Sequence, residues 1–201
     1  MFDQAFVINL DRRPDRWESF RAQRLPFDVE RVTAIDRQAV GEPATWSTPG
    51  GSYATFQSHL KAWKLAQKRK ANTVVVFEDD AIIPRRFKHR LTAFLEAVPQ
   101  DWQGLHLETE ANKTPGGNAL HPGLIADHVS GNVLRARFAI GAVAYVLREP
   151  LITRAIESPH HGHVDRYLQT FQLEGRWYLP KRMIVRHHGG FESDQPPYWR
   201  T

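Results

Sequence analysis

The chain has 201 residues, 41% apolar and 24% charged, with a mean hydropathy of −0.49; this is the balance of a packed soluble fold, not of a disordered segment. No run of about 18 uncharged apolar residues is present to span a membrane, Asp3 does not fit a secretory leader, and with no cysteine there are no disulfides, thiolate metal sites or thiol nucleophiles. A net charge of +5, with ten histidines uncounted, favours anionic partners: phosphate, nucleotide, nucleic acid or an acidic membrane surface met from outside. A cytoplasmic location and one domain over residues 1–201 are the expectations.

Ala5–Leu10 is a short apolar run suited to a buried strand. Asp11 to Asp15 follow as a turn and helix start, with Pro14 early in the helix and Trp17, Phe20 and Ala22 behind it. Phe27–Thr33 alternates and predicts a second strand; residues 37–51, with Pro43, Pro49, Gly50 and Gly51, predict a loop. From Ser52, apolar residues at three- and four-residue spacing (Phe56, His59, Leu60, Trp63, Ala66) predict a long amphipathic helix ending in Lys68-Arg-Lys70. Thr73–Phe77 is β-branched and apolar, the pattern of a central strand.

A helix is expected over 86–97 and a strand over Gly104–Glu108, then a long loop from Glu110 to Gly131, turn-rich enough to be a lid. Phe138–Leu147, interrupted by Gly141, predicts a strand or hairpin; helices follow at 149–157 and 164–173, a last strand at Arg182–Val185, and an irregular tail around Pro196-Pro-Tyr-Trp199. The order predicts an α/β fold with a mostly parallel central sheet flanked by helices. The basic clusters (Arg12–Arg16, Lys68–Lys70, Arg85–Arg90, Lys181–Arg186) carry no aromatic-studded nucleic-acid signature, so no nucleic-acid partner is expected. Taken singly, each cluster reads as solvated surface.

Glu78, Asp79 and Asp80 directly follow the most strand-like segment. Three adjacent carboxylates repel one another, so their collection at a strand end calls for a reason. In extended backbone Glu78 and Asp80 share a face and Asp79 points away. Open parallel sheets bind ligands beyond the carboxyl ends of their strands, and two hard oxygen donors there suit Mg²⁺ or Mn²⁺. The plainer reading pairs these acids with Arg85 and Arg86 in a solvated loop.

Four blocks carry a family likeness: Phe6-Val-Ile-Asn-Leu-Asp-Arg-Arg-Pro-Asp-Arg16, Gly50-Gly-Ser-Tyr-Ala-Thr-Phe-Gln-Ser-His-Leu-Lys-Ala-Trp63, Val75-Val-Phe-Glu-Asp-Asp80, and Val164-Asp-Arg-Tyr-Leu168 with Ser193-Asp194. In order and spacing the sequence resembles glycosyltransferase family 25, which contains lipopolysaccharide-type sugar transferases and collagen galactosyltransferases. The resemblance implies a GT-A fold, a Mn²⁺ or Mg²⁺ ion, and inverting transfer from a nucleotide-sugar donor, a UDP-sugar, to a saccharide or glycolipid hydroxyl. It also implies donor binding by Asn9, Arg13, Arg16, Gly51, Ser58, Glu78 and Asp79.

Asp80 is the expected metal ligand, and the resemblance implies that one of His187 and His188 completes the site; the plain alternative for these two is a surface histidine pair. Asp165 reads as a helix N-cap by position, while the resemblance implies a site role, as the catalytic base or as an acceptor ligand. Arg13 and Arg16 suit either phosphate contact or surface ion pairs. His59 is expected to hydrogen-bond a nearby loop and fix its helix, and Trp63 to be core. A domain that binds without turnover and a metal-dependent phosphoesterase are the alternatives. Walker, nucleophile-elbow and zinc-protease signatures are absent.

Overall fold

The computed structural model describes residues 1–48, 52–108, 125–160 and 162–188. The first half alternates strand and helix: β1 (Gln4–Asn9), α1 (Pro14–Arg21), β2 (Glu30–Thr33), α2 (Ser52–Lys68), β3 (Thr73–Glu78), the short β4 (Ala81–Ile82) and α3 (Phe87–Ala97). Then come β5 (Gly104–His106), β6 (Ile125–Ser130), β7 (Val133–Phe138), β8 (Ala144–Arg148), α4 (Leu151–Glu157) and α5 (Val164–Thr170). A 3-10 turn (Phe171–Glu174) leads to β9 (Trp177–Pro180) and β10 (Arg186–His187).

Among the described residues, eight strands form one sheet in the order β2-β1-β3-β8-β5-β9-β7-β6, and β4 pairs with β10. This is the expected α/β class with a central sheet flanked by helices. Strands β1, β2 and β3 pair in parallel, as do β5 and β9, while β8 runs antiparallel between β3 and β5. The carboxyl ends of β1, β2, β3, β5 and β9 therefore open on one edge.

Side-chain alternation splits the core in two. Val74 and Val76 of β3 face α2, α4 and α5, together with Phe6, Trp63, Tyr145 and Leu168. Val75 and Phe77 face the other way, onto Phe20 of α1 and Leu91 and Phe94 of α3. Val74 to Phe77 are all wholly buried, each worth about 1.5–3 kcal/mol against exposure.

Several expectations need correction. Residues 125–130 of the proposed loop are β6, hydrogen-bonded to β7 through a turn at Gly131 (φ +46°); its largely exposed face hid the strand. The rest of that loop, the tail around Pro196, Gly50 and Gly51 lie outside the described residues. Arg182–Val185 is not a strand. Ile184 and Val185 are apolar because they plug the α3-side core, their N–H groups donating to Leu107 O at 2.9 and 3.0 Å. The last strand of the sheet is instead β9, whose Pro180 at its end masked it.

Phe138–Leu147 is neither one strand nor a hairpin: Phe138 ends β7, β8 begins at Ala144 and pairs with β3 and β5, and the connection between them passes through Gly141 (φ +143°), a conformation suited to glycine. The helix expected over 164–173 stops at Thr170, and Gly175 (φ +76°) ends the 3-10 turn behind it.

Candidate active site

Asn9 ends β1 and the acidic triplet ends β3, side by side on the carboxyl edge. Asp79 turns to the α1 side. Its Oδ2 accepts from Asn9 Nδ2 at 2.7 Å and its Oδ1 from Arg16 Nη1 at 3.0 Å. Asn9 Nδ2 also donates to Arg13 O, and Asn9 Oδ1 accepts from Arg31 Nε at 2.7 Å. Asn9, Arg16 and Asp79 are thus one buried cluster, 1%, 8% and 7% exposed. Burial pushes the Asp79 carboxyl up, against the pull of Asn9 and Arg16. Arg13 joins the cluster through its backbone carbonyl, while its guanidinium grips Asp15 at 2.8–3.0 Å, and that hydrogen bonding holds the Asp15 carboxyl down at about 2.

The expected alternation fails at Asp80, because the chain turns at Asp79-Asp80 before β4 begins. Asp80 comes back toward the α1 side, with Oδ2 3.9 Å from Arg16 Nη1. The β4–β10 ribbon lays His187 opposite Ala81, and His188 N donates to Asp80 O at 2.8 Å. The ring of His187 then meets Asp80, Nε2 to Oδ2, at 3.0 Å. That hydrogen bond, with the charges of Asp80, Glu108 and Glu78, raises the His187 pKa. Among the described residues the triplet is in contact with Arg16, His59 and His187, not with Arg85 or Arg86 as the solvated-loop reading had it.

Asp80 Oδ1 is buried and accepts no hydrogen bond among the described residues. An orphaned carboxylate oxygen beside an imidazole fits a divalent cation of the Mn²⁺ or Mg²⁺ kind. Among the described residues no third His, Asp or Glu completes a cluster that could hold one; water and ligand oxygens would supply the remaining positions.

Glu78 turns to the α2 side. His59 Nε2 lies 3.3 Å from Glu78 Oε1, His59 Nδ1 lies 2.7 Å from Tyr145 Oη, and Trp63 Nε1 donates to that Oη at 2.8 Å. His59, Trp63 and Tyr145 are all wholly buried, so each proton needs an acceptor. The indole only donates, so the phenol passes its own proton to Nδ1, and the neutral imidazole donates from Nε2 to Glu78. His59 therefore anchors to two strands and not to a loop. The loop is fixed by its neighbour Ser58, whose Oγ accepts from Ile35 N at 2.8 Å and donates to Ala54 O at 2.7 Å.

Glu78 and Asp165 line one cavity of about 200 Å³, with Ser52 and Thr55 from α2, Ala142 from the bend before β8, and His163. Asp165 is not the N-cap: His163 occupies that position, and Asp165 lies in the first turn of α5 with Oδ1 accepting from Arg166 N at 2.7 Å. Arg166 lies over the Phe138 ring, 5.4 Å from its centroid. Gly51, Ser193 and Asp194 fall outside the described residues.

Sequence reasoning passed over Glu108, which follows β5 as Glu78 ends β3; a second acid at a strand's carboxyl end was the available signal. It also missed the clamp behind the Gly141 bend. Gln172 exchanges hydrogen bonds with Ala139 at 2.7 and 2.8 Å and donates to His106 Nε2 at 3.1 Å. Nothing local in the sequence marks that contact.

A family model described as glycosyltransferase family 25 (LPS biosynthesis protein) matches residues 2–114. The chain is 28% identical to the probable inactive glycosyltransferase 25 family member 3 of Bos taurus, over 73% of this chain and 27% of that protein. It is 27% identical to procollagen galactosyltransferase 2 of Mus musculus, over 53% of this chain and 20% of that one. The chain thus spans only about a quarter or less of the length of these relatives. In fold it is similar to the crystal structure of a glycosyltransferase involved in the glycosylation of the major capsid of PBCV-1: TM-score 0.52, 9% identity, 94% of this chain and 93% of that chain covered.

Proposed function

This chain belongs to glycosyltransferase family 25, and from that premise we propose that it moves a sugar from a nucleoside diphosphate, a UDP-sugar, onto a saccharide or glycolipid hydroxyl with inversion. The observation that carries the reading is the meeting of Glu78 and Asp165 in one cavity at the carboxyl edge of the sheet, 87 positions apart in sequence (165 less 78). The cavity, at about 200 Å³, is smaller than the roughly 300–1,000 Å³ of pockets for drug-sized ligands. It suits the sugar end of a donor rather than the whole of it.

Asp165 accepts the proton of the acceptor hydroxyl as that hydroxyl attacks the anomeric carbon, from the face opposite the leaving diphosphate. Glu78, held by the His59–Tyr145–Trp63 relay, presents a fixed carboxylate to the hydroxyls of the bound sugar. Asp80, through Oδ1, and His187 would hold Mn²⁺ or Mg²⁺, which when bound neutralises charge on the diphosphate. Asn9, Arg16 and Asp79 brace the strand ends that carry these groups, and Ser58 sets the loop after β2 beside them.

Transfer from a panel of UDP-sugars to saccharide acceptors, with Mn²⁺, tests this reading; transfer lost in Asp165→Asn supports it. A second reading, binding without turnover, is favoured by the relatives named as inactive. Donor binding with no transfer to any acceptor would select it. Hydrolysis of phosphodiesters without sugar transfer would replace both with a phosphoesterase.

A further inference from the structure

Two basic clusters far apart in sequence meet on the α3 side of the sheet, across it from the Glu78–Asp165 cavity. Arg86, His89 and Arg90 of α3 form one wall of a groove of about 540 Å³; Asn132, Lys181 and Arg182 form the other. The walls are built to hold their places. Asn132 accepts from Lys181 N through its carbonyl at 2.8 Å and from Arg182 N through Oδ1 at 3.1 Å, and Arg90 Nη1 donates across to Met183 O at 3.3 Å.

Among the described residues the charge in this groove is left uncompensated. Elsewhere eight arginines pair with carboxylates: Arg12, Arg13, Arg16, Arg21, Arg31, Arg69, Arg137 and Arg154. Among the described residues none of Arg86, Arg90, Lys181 and Arg182 has a carboxylate in ion-pair contact. Moreover, Arg86 is the N-cap of α3 and His89 and Arg90 follow in its opening turns, with no acid in the first turn. That end of a helix carries partial positive charge, so cations there are unfavourable and an anion is favoured. Four like charges around one concavity, two of them at the wrong end of a helix dipole, cost stability unless a polyanion sits among them.

We propose that this groove binds a soluble ligand bearing phosphate or diphosphate, at a site separate from the transfer cavity. The concavity argues for a discrete phosphorylated molecule over a flat bilayer, and paired guanidinium and ammonium donors match phosphate oxygens. The proposal does not depend on the transferase reading.

Inorganic pyrophosphate is the probe, titrated calorimetrically into the full chain in EDTA so that no divalent ion contributes. The double variant Arg86→Gln/Lys181→Gln, both exposed side chains, should bind at least tenfold more weakly. The double variant Lys64→Gln/Lys68→Gln, an equal loss of charge from exposed positions of α2, should bind as wild type, and so should Asp80→Asn and Asp165→Asn. Without ligand, the melting temperature of Arg86→Gln should equal or exceed that of wild type, since it removes a cation from the helix N-terminus. Equal binding by wild type and Arg86→Gln/Lys181→Gln would overturn the proposal, as would an equal loss of binding in Lys64→Gln/Lys68→Gln. Phosphatidylglycerol vesicles, against phosphatidylcholine, form the other arm. Vesicle binding that needs Arg86 and Lys181 while pyrophosphate does not bind would give the groove to a membrane surface and overturn the proposal too.

Discussion

Nε2 of His187 lies 3.0 Å from Oδ2 of Asp80, although 107 positions separate the two residues. Only the β4–β10 ribbon brings them together, and it leaves the other carboxylate oxygen of Asp80 buried and without a hydrogen bond among the described residues. This pairing is the reason to test the acidic triplet as a metal site at Asp80 in particular.

Donor binding should accordingly strengthen with Mn²⁺ over EDTA in the wild-type chain, and Asp80→Asn should abolish that difference while leaving circular dichroism unchanged. Calorimetry with a UDP-sugar, with and without Mn²⁺, measures it. Equal affinity in both conditions for the wild type would remove the metal from the mechanism.

Asp165→Asn keeps size and hydrogen bonding but loses the basic oxygen. Turnover should fall about 10²–10⁴-fold, as for loss of a general base, with the donor dissociation constant nearly unmoved. If donor affinity falls instead, Asp165 belongs to the donor site and not to proton transfer.

Tyr145→Phe should destabilise the fold by about 1–3 kcal/mol for each polar group it strands, Trp63 Nε1–H and His59 Nδ1. Both lie in wholly buried side chains, where no water can replace the phenol. Urea unfolding gives the magnitude. A loss below 1 kcal/mol would mean that the relay does not hold Glu78.

Asp79→Ala should cost about 3–5 kcal/mol, because it leaves the buried Arg16 guanidinium without its principal carboxylate. The same urea series applies. A loss within experimental error would show that Asp79 faces a ligand and braces nothing.

His106 supplies the pH dependence. Burial pushes its pKa down to about 3, and its Nε2 accepts from Gln172, so the folded state holds it neutral. The unfolded chain takes up a proton near pH 6.5, the folded one only near pH 3, so stability is full above the unfolded pKa and is lost as pH falls towards the folded one. His106 alone should then make the fold about 2 kcal/mol less stable at pH 5 than at pH 7. His106→Asn should flatten that slope in denaturant midpoints taken across this range; an unchanged slope would clear His106.

Much of this molecule was legible in advance because local patterns report burial locally. Thr73–Phe77 could only be a central strand, Ser52–Lys68 showed its apolar stripe, and Glu78–Asp80 stood out as acids where a sheet ends. The misreadings lie where a partner, not a pattern, decides. β6 is a strand because β7 is beside it, and Ile184 and Val185 are apolar because they plug a core from a loop.

The sequence by itself determined the α/β class, the strand carrying the acids and the motif blocks of a sugar transferase. Only the tertiary structure decided which groups meet: Asp80 with His187, Glu78 with His59 and Asp165, Arg86 with Lys181. The physical reason is one of range. Periodicity records which face of an element is buried, whereas these meetings depend on the order of strands in the sheet and on where each chain turns after its strand ends, and no single segment contains either.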